Sequence, residues 1–585
     1  MADEKQTLLV FSLGPVQSFI AAARKTEDLW SGSYLLSHLT GVAIRSIRQA
    51  AQHKGTSVFL VYPGSRFDEN DNKLDTASLP NRIILRIIEE NAVAAELAEI
   101  ASQAVLHEFL KLGKYAINKV FDDDVNKKKM IITLEEQVNA LLEIYWALEP
   151  MQGEDDYDRA RSQAEERMAA VKNYRPYKPY RQSGLVCTLC GEQSALIGSN
   201  NDASIDNYGK MKANLVNTWA RRNSQYKGIV DGSDEDKKEG RIKDGEGLCS
   251  ICLTKRLTRQ YFKEHSSSGD KNRFGSFPSI HDIADHSGYY AVIIMDGDDM
   301  GKWVSGEKAG LEKIDIAYQQ QLSSKLENFA SHFVPQEVKK SKGELIYTGG
   351  DDVLAFVPQR EVLSLAKNLR MGFGKHMAVD IESGELKATA SIGVVIAHEK
   401  APLSMVLNYA RSMEGKAKSY IHPLTGKEKD AIGLALITHS GEIREVILPF
   451  SLAGQSYSGE AGECTLSSLY NVLEMLENDL SIQFGEKFAN AFLPLVGSDF
   501  KEQIKIEIFP DNTSRNRELI SVELKRVMKR SIREGRKIDD LEVKIDALMK
   551  LYDVCSSLLQ FIHLLEICRF LRSKEKMLSK GGGAI

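Results

Sequence analysis

The stretch "LIYTGGDDVLAF", residues 345–356, sets two aspartates side by side between two short apolar runs. Leu345–Tyr347 and Val353–Phe356 are β-prone, and Gly349-Gly350 between them is a hairpin signal. Asp351 and Asp352 therefore fall at the tip of a predicted hairpin, where like charges repel unless a cation sits between them. A solvated turn is the simpler use of such residues, because Gly and Asp are good turn formers. The neighbouring sequence decides between the two. "YYAVIIMDGDD" (289–299) reads as a strand that ends in Asp296, with Asp298 on the same face if the strand continues by two residues.

Working outward, a helix is expected at about 311–333 and another at 360–377. "KATASIGVVIA" (387–397) reads as a strand, "LSMVLNYARSMEGKAKSYI" as a helix, and "AIGLALITHS" and "EIREVILPF" as two last strands. The order strand–helix–strand–strand–helix–strand is that of the ferredoxin-like split βαβ arrangement. In it the first strand lies beside the hairpin, so Asp296 would converge with Asp351 and Asp352 at one sheet edge. Such carboxylates suit Mg²⁺ or Mn²⁺, and two ions can activate an attacking hydroxyl and stabilise departing pyrophosphate. Lys416 and Lys418, on the helix downstream, are placed to meet a triphosphate.

A chain of 585 residues exceeds one core and calls for several domains. The first region repeats the α+β character. "TLLVFSL" (7–13) is a strand, Gly14-Pro15 breaks it, and helical periodicity follows to about residue 50. "SVFLVYP" and "RIILRIIE" are further strands, and amphipathic helices are expected at roughly 90–119 and 133–149. The strand–turn–helix junction "SLGPVQSFI" (12–20) offers Gly14 and Gln17 as contacts to a nucleotide phosphate. The boundaries that follow are 1–150, 151–285, 286–451 and an almost wholly helical 452–585.

Seven cysteines include two tight pairs, Cys187/Cys190 in "CTLC" and Cys249/Cys252 in "CSIC". Four thiolates from two knuckles form the closed tetrahedral set of a structural Zn²⁺. A redox CxxC is the alternative, and two pairs disfavour it. Cysteines this sparse do not make a disulfide scaffold, no run of apolar residues is long enough for a membrane span, and the start has no signal-peptide pattern. The expected location is the cytoplasm. A formal net charge of −5 excludes a generally basic nucleic-acid coat but leaves room for local patches. "YRPYKPYR" interleaves basic and aromatic residues as single-strand binders do, though a linker has the same composition; "RNRELISVELKRVMKRSIREGRK" (515–537) is a basic helix that faces RNA or water. His281-Asp282 is an HD dipeptide without the further ligands of a phosphohydrolase, and is read as a loop.

Together, "SLGPVQSFIAAARKTEDLWSGSYLLS", the CxxC pairs, "YYAVIIMDGDDMGK", "GELIYTGGDDVLAF" and "ATASIGVVIA…ARSMEGKAKSY" resemble the large polymerase-like subunit of type III-B (Cmr) CRISPR–Cas effector complexes. The resemblance implies an α+β multidomain fold with two ferredoxin-like palm domains, the first degenerate and the second carrying GGDD, together with a zinc-binding insertion domain and a C-terminal helical domain. It implies a nucleotidyltransferase that converts ATP into cyclic oligoadenylate, or a related AMP-containing messenger, under control of target RNA. Asp296, Asp351 and Asp352 match the family's metal ligands, Gly349-Gly350 its nucleotide-approach turn, and Lys418 a phosphate contact; Asp298 is a lesser candidate. Sibling Cmr subunits, guide RNA and target RNA are the implied partners, and no membrane is. Many relatives begin with an HD nuclease domain; here the first palm strand starts by residue 7, so DNA cleavage is not expected. A non-catalytic scaffold subunit and a stand-alone cyclase are the alternatives.

Overall fold

The computed structural model describes residues 5–64, 79–121, 127–174, 184–197, 208–225, 242, 245–265, 274, 277–284, 288–381, 384–452, 465, 514–532 and 541–581. The Tyr- and Pro-rich stretch beyond Tyr174, the acidic run 228–241, and 453–513 apart from Thr465 lie outside them. Contacts divide the chain into two compact units. One comprises 1–280, 301–333 and 345–350; the other comprises 281–300, 334–344 and 351–585.

The first unit is built on an antiparallel sheet of β1 (Gln6–Gly14), β2 (Val58–Tyr62), β3 (Arg82–Ile87) and β4 (Glu143–Met151), in the order β2-β3-β1-β4. β1 is buried over Thr7–Leu13 because both of its faces are covered. Leu8 and Val10 join Ala147 and Met151 against Tyr157, Ala160, Ala164 and Met168 of the Tyr157–Asn173 helix. The long helices Thr26–Lys54 and Asn91–Val120 also pack on the sheet. Two expectations need correction here. The helix expected at 133–149 ends at Leu141, and Glu143–Met151 is a strand: the β-branched and aromatic residues Ile144, Tyr145 and Trp146 pair across β1 at Leu13, Ser12 and Phe11. The helical run after Pro15 is also interrupted. A five-residue helix, Gln17–Ala21, precedes Thr26–Lys54, and the turn between them is pinned by Asp28, which accepts from the backbone N–H groups of Arg24 and Lys25.

The second sheet contains β5 (Tyr289–Gly297), β6 (Glu344–Gly349), β7 (Asp352–Pro358), β10 (Ala390–His398), β11 (Ala431–Ile437) and β12 (Ile443–Pro449), in the order β12-β11-β10-β5-β7-β6. β8 (Val379–Ile381) and β9 (Gly384–Leu386) form a separate small hairpin. β5 is central and lies beside β7, as the split βαβ reading requires. The Leu403–Lys418 helix crosses this sheet very closely. A Cβ on Gly393 would lie 2.3 Å from the Ala410 carbonyl oxygen and 2.4 Å from the Glu414 nitrogen, so only glycine fits. That approach fixes the height of Glu414 and Lys418 over the strands.

Behind the sheet, the Leu558–Gly581 helix packs on β12 through an Arg444–Glu566 ion pair at 2.7 Å. The helices Ser514–Ser531 and Leu541–Val554 complete the described C-terminal part. His281-Asp282 lies in a short helix, Ile280–Ala284, rather than the loop expected, and His281 Nδ1 meets Glu399 at 2.6 Å on the surface. No helix among the described residues is long and apolar enough to cross a membrane.

Candidate functional site

The hairpin tip is made by Gly350, whose φ of +87° an L side chain rarely adopts. It delivers Asp351 and Asp352 to the start of β7, next to the end of β5. Val353 pairs with Met295, and one step further along that register sets Asp352 across from Asp296. Asp351 accepts a hydrogen bond from the Gly297 backbone N–H. Both aspartates are half-buried. Burial pushes the Asp351 carboxyl up to about 6 in spite of that bond. Burial, then the charge of Asp351, then that of Glu414 push Asp352 up to about 7. Glu414 is itself raised, by burial and by Asp298. The electrostatics therefore show a place short of positive charge.

Lys418 supplies part of that charge. It forms an ion pair with Asp296 and approaches Glu414 Oε1 at 3.5 Å. Burial, and then Lys429, lower its proton affinity. Lys416 points elsewhere, to Glu445 at 2.6 Å. Asp298 has a different setting from the one its spacing suggests. β5 ends at Gly297, so the alternation does not carry through to it. Its carboxylate is buried and accepts from Thr389 Oγ1 and Ser391 Oγ, both at 2.8 Å, and from the Asp430 backbone N–H at 3.1 Å. Asp430 is in turn held by Arg370 at 2.5 Å. This buried chain anchors the loop after β5, and sequence reasoning missed Thr389, Ser391, Arg370 and Asp430 because they come from distant strands and helices. Asp299, with a φ of +55°, pairs with Lys429.

The carboxylates are hard oxygen donors of the kind Mg²⁺ and Mn²⁺ take. Asp296, Asp351 and Asp352 do not close on one another as tightly as the cysteines do. Among the described residues, only Cys187, Cys190, Cys249 and Cys252 form a set of three or more possible ligands all within 4.8 Å of one another. The Cys190 and Cys249 sulfurs are 3.9 Å apart. A tetrahedron of ~2.3 Å zinc–sulfur bonds has an edge of roughly 3.8 Å, so this donor set fits such an ion. Hydrogen bonding from Cys187 pulls the Cys190 thiol down, while burial pushes Cys249 up.

The cysteine pairs are clamped to the rest of the first unit by residues that carry no motif. Gln137 is fully buried; its Nε2 donates to the Ser194 carbonyl at 2.8 Å, and its Oε1 accepts from Ser250 N and Oγ at 2.9 and 2.6 Å. The Ser250–His265 helix, which starts at the second pair, inserts Lys255 and Arg256 beneath the "GPVQSFIAAARKTEDLW" segment. Lys255 Nζ donates to the carbonyls of Phe19 and Ala22, at 2.5 and 2.8 Å. Arg256 spans Asp28, at 2.6 and 3.0 Å, and Glu246, at 3.1 Å. At the start of the same segment, Gly14 faces the Glu143 carboxylate, 3.3 Å from where a Cβ would stand, and Gln17 is exposed on the five-residue helix.

Comparison with known proteins agrees with this layout. Residues 289–432 match the family model described as "Cas10/Cmr2, second palm domain", and residues 8–114 match "CRISPR-associated protein Cmr2, N-terminal". The CRISPR system Cmr subunit Cmr2 of Pyrococcus furiosus is 24% identical over 88% of this chain and 70% of its own. A 147-residue part is 27% identical to a Streptococcus thermophilus protein named as the CRISPR system single-strand-specific deoxyribonuclease Cas10/Csm1 (subtype III-A), over 25% of this chain and 18% of that one. In fold, the chain is similar to one from the apo state of a type III-B Cmr-beta complex, with a TM-score of 0.64 and 16% identity over 97% of this chain and 82% of that one. The same complex bound to cognate target RNA gives 0.60 at 15% identity, over 97% and 83%. With both sheet-bearing regions matched in chain order and the second match spanning Asp296, Asp351, Asp352 and Lys418, the chain belongs to the Cas10/Cmr2 family of large subunits of type III-B Cmr complexes.

Proposed function

We propose that this chain is the signalling nucleotidyltransferase of a type III-B CRISPR complex, joining ATP into a cyclic oligoadenylate or a related AMP-containing messenger when target RNA is held. The observation that carries this is the half-buried Asp351–Asp352 pair, raised to about 6 and 7, one strand from Asp296. A chain keeps such carboxylates underneutralised where a ligand brings the charge. Asp296, Asp351 and Asp352 would hold Mg²⁺ or Mn²⁺. When bound, these ions lower the pKa of an attacking ribose hydroxyl and neutralise pyrophosphate leaving the α-phosphate.

The protein's own residues do the rest. The Gly349-Gly350 turn lets a nucleotide approach the backbone. Lys418 exchanges its carboxylate partner for phosphate oxygens, and the buried Asp298–Asp430–Arg370 chain keeps the loop after β5 in register. Both sheets share one strand order when the first four strands of each are compared, β2-β3-β1-β4 and β10-β5-β7-β6. This supports two palm domains, and the sequence between β2 and β3 holds no Asp-Asp pair. The four cysteines are assigned to structural Zn²⁺. Sibling subunits, guide RNA and target RNA are the proposed partners, in keeping with the target-RNA-bound Cmr-beta complex whose fold this chain shares and with an acidic chain.

A scaffold role is the second reading, and the Lys418–Asp296 ion pair favours it, because that lysine occupies one of the proposed ligands. Incubating the assembled complex with labelled ATP, with and without target RNA, and weighing the product separates the two. A new adenylate oligomer supports the first reading; unchanged ATP supports the second.

A further inference from the structure

On the first unit, the Asn91–Val120 helix and the end of the Ser250–His265 helix flank an open pocket of about 510 Å³. It is lined by His107, Leu110, Lys111, Lys114, Tyr115, Asn118, Tyr261 and His265. This volume lies within the roughly 300–1,000 Å³ of small-molecule sites. Its lining is unusual in two respects. It holds three aromatic rings in mutual contact, and it holds two lysines, two histidines and an asparagine but no carboxylate.

The rings form a platform. Tyr261 and His265 stack with centroids 4.1 Å apart and planes 20° from parallel. Tyr115 stands edge-on to them at 5.0 and 5.6 Å. Tyr261 is buried, whereas His265 is the exposed end of the stack. Two of the rings are tied down by hydrogen bonds: Tyr115 Oη donates to Glu264 at 2.7 Å, and His265 Nδ1 meets the Tyr261 carbonyl at 2.8 Å. An immobilised aromatic surface loses little entropy when a flat ring is laid on it.

The cations sit at the rim. Lys111 and Asn118 are exposed, and Lys114 is half-exposed. The carboxylates that partner the lysines lie outside the lining. Glu108 meets Lys111 at 3.1 Å but is also engaged with His38 at 3.2 Å, and Glu135 meets Lys114 at 3.4 Å from another helix. Burial works against the Lys111 charge, but the Tyr261 hydroxyl and Glu108 outweigh it and keep the ammonium protonated.

A flat ring beside anionic oxygen is the complement of this lining. We infer that the pocket binds a nucleotide unit, with its base against the Tyr115–Tyr261–His265 platform and its phosphate at Lys111, Lys114 and Asn118. Aromatic faces with basic neighbours are how single strands are held without base-specific contacts. A free nucleotide and one residue of a single strand share that chemistry, and the arms below distinguish them.

The full chain is mixed with a fluorescent ten-nucleotide RNA bearing 4-thiouridine, and separately with fluorescent AMP, and binding is followed by anisotropy across a salt series. Lys111→Ala/Lys114→Ala should weaken the probe that binds at least ten-fold and reduce the salt slope for the strand by about 1–2. Tyr115→Phe should bind nearly as wild type, while Tyr115→Ala should lose about five-fold or more. Photocrosslinks should map to peptides containing residues 107–118 or 261–265. Binding of RNA but not AMP identifies a strand as the occupant, and equal binding of both identifies a free nucleotide. Metal content equal to wild type shows that each variant has folded. Crosslinks confined to other peptides, or a lysine double variant within two-fold of wild type for both probes, would overturn the inference.

Discussion

Lys418, the last residue of the Leu403–Lys418 helix, is ion-paired with Asp296 near the end of β5. One residue proposed to meet phosphate is thus held by one residue proposed to hold metal. This ties the helix crossing the sheet to the carboxylates, and under the proposed function it makes the lysine a stand-in for positive charge until substrate arrives.

It follows that Lys418→Ala should lower nucleotide product formation by roughly ten-fold or more, since a cation aimed at transferring phosphate acts mainly in the transition state. Half-buried Asp296 would also lose its partner, so a change in thermal stability is expected to be small beside the loss of rate. Initial rates and melting curves on the same preparation check this. An unchanged rate with a clearly lowered Tm would make the pair structural.

The cysteine cluster gives a separate expectation. Cys187→Ser/Cys249→Ser, or exhaustive chelation, should remove one zinc per chain and lower Tm by about 10 °C, because metal binding to a closed thiolate set is folding free energy. Elemental analysis with calorimetry reads both. The Gln137 clamp predicts more: Gln137→Leu should destabilise the same region while leaving the four ligands in place, since it strands the Ser194 carbonyl and the Ser250 N–H.

Acid stability should report on Asp28. Burial raises its carboxyl, but Arg256 and then Lys255 more than reverse this, and it sits below the ordinary 3.8. A depressed folded value means the unfolded chain binds the proton more readily. The pair therefore stabilises fully above about pH 5, and that stability is lost as pH falls below 3.8 towards the folded value. Asp28→Asn should cost roughly 3–5 kcal/mol at neutral pH by leaving Arg256 half-paired, and should flatten the acid limb of Tm against pH. Equal acid limbs in both proteins would contradict the assignment.

Much of this was legible from short runs of residues. Strand periodicity and turn chemistry in "MDGDD" and "GGDD" placed the aspartates at element ends, and the spacing of two CxxC pairs was enough to expect the four-cysteine cluster. β4 was not legible: "EIYWALEP" follows a true helix without a break, and its apolar residues fit a 3.6-residue period about as well as a two-residue one. Asp298 misled for a related reason. Its spacing from Asp296 implied one face, yet the strand stops between them and a buried cage of Thr389, Ser391 and the Asp430 amide takes it. Lys255, Arg256 and Gln137 gave no signal, because a buried polar clamp is defined by partners far away in sequence.

The central claim is that Asp351 and Asp352 serve a ligand rather than the fold. Their replacement should relieve repulsion and burial of charge instead of breaking a packed contact. The most direct measurement is product mass from the assembled complex carrying Asp351→Ala/Asp352→Ala, incubated with ATP and target RNA beside wild type. The account predicts no adenylate product, with assembly, zinc content and Tm at or above the wild-type values. A double variant that still turns over ATP at a comparable rate, or one that fails to fold, would contradict it.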